Sequence, residues 1–265
     1  MKLHLIIIDG QEDFCNPDWG TLYVRGAEVA MRNVANFIKR CGEKLFDISL
    51  TLDSHHQCHI AHAMMWRDRN GNPPAPFTII GSVDMDNGTW TPKVPGLFKK
   101  YRDYLISLEK NGRYPLCIWP PHCLIGTPGH NLIPEIRDAV FEWERKFTAM
   151  ANKITKGSSP FTEHYGAIFA DVPDPSDPST QVNSNFLNTV NDSDQIIATG
   201  IAGSHCLANT IRDMVSVLGN DFAKKMVFFE DCTAPVTGFE NLQESMIKDM
   251  TALGMQLTNS VDFLS

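Results

Sequence analysis

The feature that most constrains this chain is the repeated pairing of a short apolar run with a segment of helical period. Leu3–Ile8 is apolar and rich in β-branched residues, and it ends abruptly at Asp9-Gly10, which predicts a buried strand leading into a loop. Residues 34–41 then carry apolar side chains at helical spacing before Gly42, and residues 46–52 alternate as a second strand. This order predicts a βαβ unit.

The same pattern returns in the C-terminal half of the chain. Residues 195–201 and 225–229 predict strands, residues 207–218 and 242–253 predict amphipathic helices ended by glycine, and a last strand is expected near Gln256. Residues 147–155 predict a third main strand, ended by Lys156-Gly157. We therefore predict one α/β domain over residues 1–265: a three-layer, doubly wound, mostly parallel sheet with an insertion at about 63–118.

Composition excludes several classes of protein. The chain has 23 basic and 31 acidic residues and a net charge of −8, with no basic cluster, which predicts no nucleic-acid partner. Its longest apolar run is too short for a membrane span or a signal-peptide core, so we expect a cytoplasmic protein with no membrane partner. The 7 cysteines are odd in number and scattered, which indicates reduced thiols, one of which could be chemically active.

Ligands of such sheets bind beyond the carboxyl ends of the strands, and reactive side chains stand there in this sequence. Asp53 and His55 are two residues apart, so in extended chain they point to the same side and form half of a metal site. His122 offers a second imidazole if the insertion folds back. Mixed carboxylate and imidazole ligands suit Zn²⁺, Fe²⁺ or Mn²⁺. We expect His56, His62 and His130 to be exposed loop histidines.

Asp9, Lys156 and Cys206 follow three different strands and could form a second cluster. Cys206 opens a predicted helix with Ser204 placed as its N-cap, and a helix N-terminus together with Lys156 would favour the thiolate. Asp9 could then act as general base to Cys206 and as general acid to a leaving amine.

Several motifs match a known family. They comprise residues 8–14 (IDGQEDF), 52–55 (LDSH), 119–123 (WPPHC) with 126–129 (GTPG), Lys156-Gly157, and 200–202 (GIA) leading to Cys206. In this order the chain, from residue 9 to about 206, resembles the isochorismatase-like cysteine hydrolases, and within them the nicotinamidase/pyrazinamidase group.

The resemblance implies a fold of about six strands and a set of roles for named residues. It implies a catalytic triad of Asp9, Lys156 and Cys206, and one divalent metal ion bound by Asp53, His55 and His122, with His59 as a secondary candidate ligand. It further implies substrate contacts from Phe14, Trp119 and Ala202. The backbone N–H groups of Ala202 and Cys206 would form an oxyanion hole, and the peptide bond between Ile201 and Ala202 would be cis. Zn²⁺ is the first expectation for the metal, with Fe²⁺ and Mn²⁺ as alternatives. The implied reaction is hydrolysis of nicotinamide, and also of pyrazinamide, through a cysteine thioester, within NAD salvage.

One departure from the family pattern leaves alternatives open. Between Ala202 and Cys206 the family usually has a hydroxyl residue, an acid and often tyrosine, whereas this chain has Gly203-Ser204-His205. A cysteine hydrolase of another small amide, of the ureido or maleamate type, and a catalytically silent ligand-binding homologue therefore remain alternatives. Residues 64–66 could form a lid or a contact in a homo-oligomer.

Overall fold

The structure, a computed structural model, describes residues 1–265. Its strands are β1 (Leu3–Ile8), β2 (Leu45–Asp53), β3 (Trp66–Arg67), β4 (Ile79–Ile80), β5 (Thr91–Pro92), β6 (Leu116–Cys117), β7 (Asn152–Lys156), β8 (Gln195–Ile201), β9 (Met226–Ala234) and β10 (Gln256–Thr258). Its helices are α1 (Glu12–Cys15), α2 (Ala27–Cys41), α3 (Ser82–Asp86), α4 (Phe98–Lys110), α5 (Pro134–Phe147), α6 (Ser184–Asn191), α7 (Cys206–Leu218) and α8 (Glu240–Ala252).

One parallel sheet organises the chain. Its 6 strands run in the order β10-β9-β8-β1-β2-β7, and every neighbouring pair is parallel. All residues of β1 are buried, as expected for a central strand covered on both faces. Helices α2 and α5 pack together, α2 also contacts β8 and β9, and α7 packs on β8 and α8. The predicted α/β class with a doubly wound parallel sheet is confirmed.

The strand order places the ends of four strands beside one another. Because β1 lies between β2 and β8, and β7 follows β2, the loops after these strands leave the sheet at one edge. The residues that follow β1, β2, β7 and β8 are therefore close in space although they are far apart in the chain. No helix combines the length and the apolar character that crossing a membrane requires.

Residues 63–118 contain two small antiparallel sheets, β3-β5 and β4-β6, together with helices α3 and α4. Trp66 is buried, and its ring centroid lies 5.0 Å from that of Tyr101 on α4. The expectation that residues 64–66 form a lid or an oligomer contact is therefore wrong for Trp66, because this indole is part of the core.

The predicted strand at residues 147–155 is wrong in its first half. Helix α5 continues through Phe147, whose ring packs 6.1 Å from Trp143 one turn earlier, and Thr148 ends it in a left-handed conformation. The apolar residues at this position therefore complete a helical face rather than begin a strand. Strand β7 starts only at Asn152, at the edge of the sheet, and ends at Lys156 as expected.

The buried His4 on β1 makes stability depend on pH. Its ring lies between the hydroxyls of Ser193 and Ser49, 3.2 and 2.9 Å from its two nitrogens, and burial lowers its pKa from 6.5 to about 4. The unfolded chain therefore binds a proton at a pH where the folded chain does not. The contribution of neutral His4 to the free energy of unfolding is fully present above pH 6.5, and it is lost as the pH falls towards about 4.

We predict that His4→Gln weakens this acid sensitivity. The fall in the free energy of unfolding between pH 7 and pH 5 should be smaller than in the wild type by roughly 2 kcal/mol. Urea denaturation at both pH values measures it, and His56→Gln, at an exposed histidine, is the matched control. An unchanged pH dependence in His4→Gln would contradict the assignment.

Candidate active site

Asp9, Lys156 and Cys206 meet at the carboxyl edge of the sheet. Asp9 follows β1 directly, Lys156 is the last residue of β7, and Cys206 is the first residue of α7, which follows β8. The Lys156 Nζ atom lies 2.9 Å from Asp9 Oδ2 and 3.5 Å from Cys206 Sγ, and all three residues are buried. The structure thus brings together the three residues that the sequence proposed as a catalytic cluster.

The two oxygens of Asp9 have different surroundings. Oδ1 accepts a hydrogen bond from the Thr51 hydroxyl at 2.5 Å, which orients the carboxylate. Oδ2 is buried and forms an ion pair with Lys156, whose Nζ atom lies 2.9 Å away. The carboxylate keeps further lone pairs, which can accept a proton from a neighbouring group.

Burial and neighbouring charges act in opposite directions on the ionisable groups of this cluster. Burial raises the pKa of the Cys206 thiol well above its usual range; Lys156 opposes this shift, but Asp9 and Asp53 add to it. Burial alone would lower the pKa of Lys156, but Asp53 and Asp9 more than offset it and raise it well above its usual value. The charge of Lys156 thus acts in the predicted direction, since it lowers the pKa of Cys206, but burial outweighs it, so removal of the thiol proton calls for a base.

A second cluster, of Asp53, His55 and His122, lies against the first. One potential ligand atom from each residue lies within 4.8 Å of the others, and all three residues are buried. Asp53 Oδ2 is 2.9 Å from His55 Nε2 and 3.3 Å from His122 Nε2. Asp53 Oδ1 is 3.1 Å from Lys156 Nζ, so one carboxylate connects the two clusters.

Backbone carbonyls set the tautomers of both histidines. His55 Nδ1 lies 3.1 Å from the Gly157 carbonyl and His122 Nδ1 lies 2.8 Å from the Pro120 carbonyl. A carbonyl only accepts, so each Nδ1 carries a proton, and Nε2 is the ring nitrogen that each histidine turns towards Asp53. A buried carboxylate beside two imidazole Nε2 atoms is a donor set that fits a divalent metal ion.

Gly157 is required by this arrangement. Its φ is +85°, within the left-handed region, and a Cβ atom there would lie 2.8 Å from Asp53 Oδ1. Only glycine allows both the backbone conformation and the approach of the metal-site carboxylate. This accounts for the Lys156-Gly157 pair in the sequence.

The remaining histidines have varied positions. His59 lies outside the three-residue cluster: its Nε2 donates to the Thr162 carbonyl at 3.2 Å and its Nδ1 accepts from the Ala61 N–H at 3.3 Å. His62 is buried, so its prediction as an exposed residue is wrong; it donates from Nδ1 to the Gln57 carbonyl at 3.0 Å. His56 is exposed as predicted, and His130 is half-buried.

The first loop holds the metal-site backbone in place. The side-chain amide of Gln11 donates to the Asp53 carbonyl at 2.8 Å, and its oxygen accepts the Asp53 N–H at 2.7 Å. The Asp13 carboxylate accepts the Cys123 N–H at 2.6 Å, next to His122. These contacts explain why polar residues of the motif at 8–14 are buried.

A pocket of about 400 Å³, including its open mouth, leads to Cys206. The residues predicted to touch substrate, Phe14, Trp119 and Ala202, all line it. The sequence interpretation missed further lining residues: Leu22, Val24, Glu163, His164, Tyr165, His205 and Val236. Residues 163–165 could have been predicted to line the pocket, because they follow Lys156 shortly beyond the end of a strand, where ligands bind in such sheets.

Comparisons with known proteins agree with this geometry. No protein-family model matches the chain. A nicotinamidase of Saccharomyces cerevisiae is 22% identical over 233 residues, which are 88% of each chain. The structure of the yeast nicotinamidase bound to the inhibitor nicotinaldehyde matches with a TM-score of 0.67 and 18% identity, over 97% of this chain and 99% of that one. The chain has the nicotinamidase fold.

A pyrazinamidase of Pyrococcus horikoshii in complex with zinc shares this fold, with a TM-score of 0.58, 17% identity, and coverage of 98% of this chain and 99% of that one. The predicted resemblance is thereby confirmed at the level of the fold. The peptide bond between Ile201 and Ala202 is cis, as the resemblance implied.

Within the nicotinamidase fold, residues 203–205 mark where this chain departs from the family pattern. The predicted N-cap role of Ser204 is wrong, because α7 begins after His205 and has no side-chain cap. The Ser204 hydroxyl instead accepts the Val236 N–H at 3.0 Å and lies 2.8 Å from His205 Nδ1. His205 is buried in the pocket wall, and burial lowers its pKa to about 4, so its ring is neutral at pH 7.

We predict one bound divalent ion per chain at Asp53, His55 and His122. His122→Ala removes a buried imidazole ligand and should lower metal affinity at least about 10-fold, whereas His56→Ala, at an exposed histidine in the same region, should retain it. Metal analysis of protein dialysed against limiting Zn²⁺ measures both. Equal metal content in the two variants would contradict the site.

Proposed function

We propose that this protein is a metal-dependent amidohydrolase that converts nicotinamide and water to nicotinate and ammonia, and that also accepts pyrazinamide. The observation that carries the proposal is the contact of Lys156 with Asp9 and with Cys206 at the buried end of a pocket whose wall holds a metal-ligand set. The yeast and archaeal relatives, which are nicotinamidase and pyrazinamidase enzymes, support the same chemistry.

Acylation begins with the Cys206 thiol. Asp9 Oδ2 takes the thiol proton as sulfur attacks the amide carbon, and Lys156 holds the charges of both groups in the buried site. A sulfur–carbon bond forms and the carbonyl oxygen becomes an oxyanion. As the oxyanion collapses, the carbon–nitrogen bond breaks, Asp9 returns the proton to the departing nitrogen, and ammonia leaves.

The backbone around Cys206 offers donors for the oxyanion. The N–H groups of Ala202 and Cys206 donate to no acceptor within the protein, and both residues line the pocket. Preorganised N–H donors stabilise charge that develops only in the transition state. We assign these two groups to the oxyanion hole.

Deacylation uses the same residues. Asp9 accepts a proton from water as its oxygen attacks the thioester carbon, the carbon–sulfur bond breaks, and the proton returns to the Cys206 sulfur. The acid leaves the pocket and the resting thiol is restored. One amide and one water thus yield one carboxylic acid and one ammonia.

Asp53, His55 and His122 would hold the metal ion, which we propose to be Zn²⁺, with Fe²⁺ and Mn²⁺ as alternatives. Such an ion would supply a Lewis acid for the pyridine nitrogen of the substrate. Phe14 and Trp119 line the pocket and offer aromatic surface against which the substrate ring can pack. We place the reaction in cytoplasmic NAD salvage.

We predict that Cys206→Ala abolishes the amidase reaction. Removal of the nucleophile should lower kcat by at least about 1000-fold, since no other group can form the thioester. Ammonia release from nicotinamide measures it, at matched metal content. Cys232→Ala, at a buried free thiol on β9, should retain activity. Wild-type protein that binds metal but releases no ammonia would refute the proposed reaction.

We predict a separate effect for Asp9→Asn. The substitution keeps the shape of the side chain but removes the base, so kcat should fall by about 100- to 10 000-fold. Stopped-flow measurement of acylation shows whether the loss lies in the step that deprotonates Cys206. Acylation at the wild-type rate would show that another group takes the thiol proton.

A further inference from the structure

A buried ion cluster outside the proposed catalytic residues lies behind the pocket wall. The Arg113 guanidinium, with 16% of its side chain exposed, holds two carboxylates: Nε is 2.8 Å from Asp171 Oδ1 and Nη1 is 2.8 Å from Asp213 Oδ1. Both aspartates are buried. Burial raises the pKa of Asp213 to about 6 against the effect of Arg113, so this carboxyl is ionised at pH 7.5. No role in the proposed reaction requires these residues.

Asp171 connects this cluster to the pocket. Its second oxygen, Oδ2, accepts the backbone N–H of Tyr165 at 3.1 Å. Tyr165 lines the pocket, its hydroxyl accepts the Trp119 indole N–H at 2.9 Å, and its ring centroid lies 5.3 Å from that of His205. A chain of directed contacts therefore runs from Arg113 through Asp171 to the aromatic wall.

Asp213 connects the same arginine to a different element. It lies on α7, two turns beyond Cys206, and its carboxylate faces Arg113 through both oxygens. It has no hydrogen bond to the Tyr165 backbone. The two aspartates thus share one cation, but only Asp171 binds the residue that forms the pocket wall.

We propose that Arg113 and Asp171 are positioning residues that set the place of Tyr165 and thereby determine affinity for the aromatic ring of the substrate. The proposal rests on the proposed function and extends it to substrate recognition. The planar guanidinium fixes the Asp171 carboxylate in direction as well as in distance, because its donors form a rigid fork. The fixed carboxylate in turn holds the Tyr165 N–H by a charge-assisted hydrogen bond.

Asparagine substitutions at the two aspartates form a matched pair. Replacement of Arg113 would leave two buried carboxylates without a cation and endanger folding. Asp171→Asn and Asp213→Asn each keep the side-chain volume and each remove one negative charge from the same arginine. In Asp213→Asn the amide group can only face Arg113, because both carboxylate oxygens do, so the two variants disturb the same arginine. Only Asp171→Asn also weakens the acceptor of the Tyr165 N–H.

The test measures KM and kcat for nicotinamide in both variants and the wild type. We expect Asp171→Asn to raise KM about 10-fold, as for the loss of one charge-assisted hydrogen bond, with kcat within about 2-fold. We expect Asp213→Asn to leave KM within about 2-fold of the wild type. Equal effects in the two variants, or an unchanged KM in Asp171→Asn, would overturn the proposal.

Two further measurements separate this proposal from the proposed function. Calorimetric titration with nicotinate reports affinity without turnover, and it should weaken in Asp171→Asn alone. Hydrogen exchange of residues 162–171 should show faster exchange at Tyr165 in that variant alone. Wild-type protein that releases no ammonia refutes the amidase reaction, and unchanged exchange at Tyr165 in Asp171→Asn then refutes the positioning role independently.

Discussion

The buried ammonium of Lys156 is the charge on which the site depends. Its Nζ atom lies 2.9 Å from Asp9 Oδ2, 3.1 Å from Asp53 Oδ1 and 3.5 Å from Cys206 Sγ. Two buried carboxylates so close together would be costly without a cation between them. The same ammonium therefore stabilises the proposed base, the proposed metal ligand and the resting nucleophile. Its place at the end of the edge strand β7 brings that charge to the carboxyl edge of the sheet.

The two clusters depend on contacts made by the backbone as well as by side chains. The carbonyls of Gly157 and Pro120 select the tautomers of His55 and His122, and the glycine at 157 leaves room for Asp53. In the same way, the absence of an acceptor for the N–H groups of Ala202 and Cys206 makes them available for a ligand. A donor set that is buried and preoriented in this way needs little reorganisation when a ligand arrives.

Much of the fold and part of the site could be predicted from the sequence. The strand at 195–201 was correct, and the candidate residues after the strands do lie close together, because buried parallel strands and their polar ends have strong local patterns. The strand predicted at 147–155 was wrong in its first half because a short apolar run fits a helical face as well as a strand. The packing of Phe147 against Trp143 shows that this run ends a helix. The prediction that His62 is exposed was wrong because its burial depends on the surrounding loops, and the residues next to it in the sequence do not indicate how those loops pack.

The sequence by itself determined the order of strands and helices and the chemical types at the strand ends: a carboxylate, a lysine, a cysteine and a histidine pair. Only the tertiary structure decided their protonation and their partners. The Cys206 pKa is raised because burial outweighs the nearby cation, and the Nε2 atoms of His55 and His122 face Asp53 because backbone carbonyls, that of Gly157 and that of Pro120, hold the other ring nitrogens. Desolvation and hydrogen-bond direction are set by neighbours in space, so adjacency in sequence cannot reveal them.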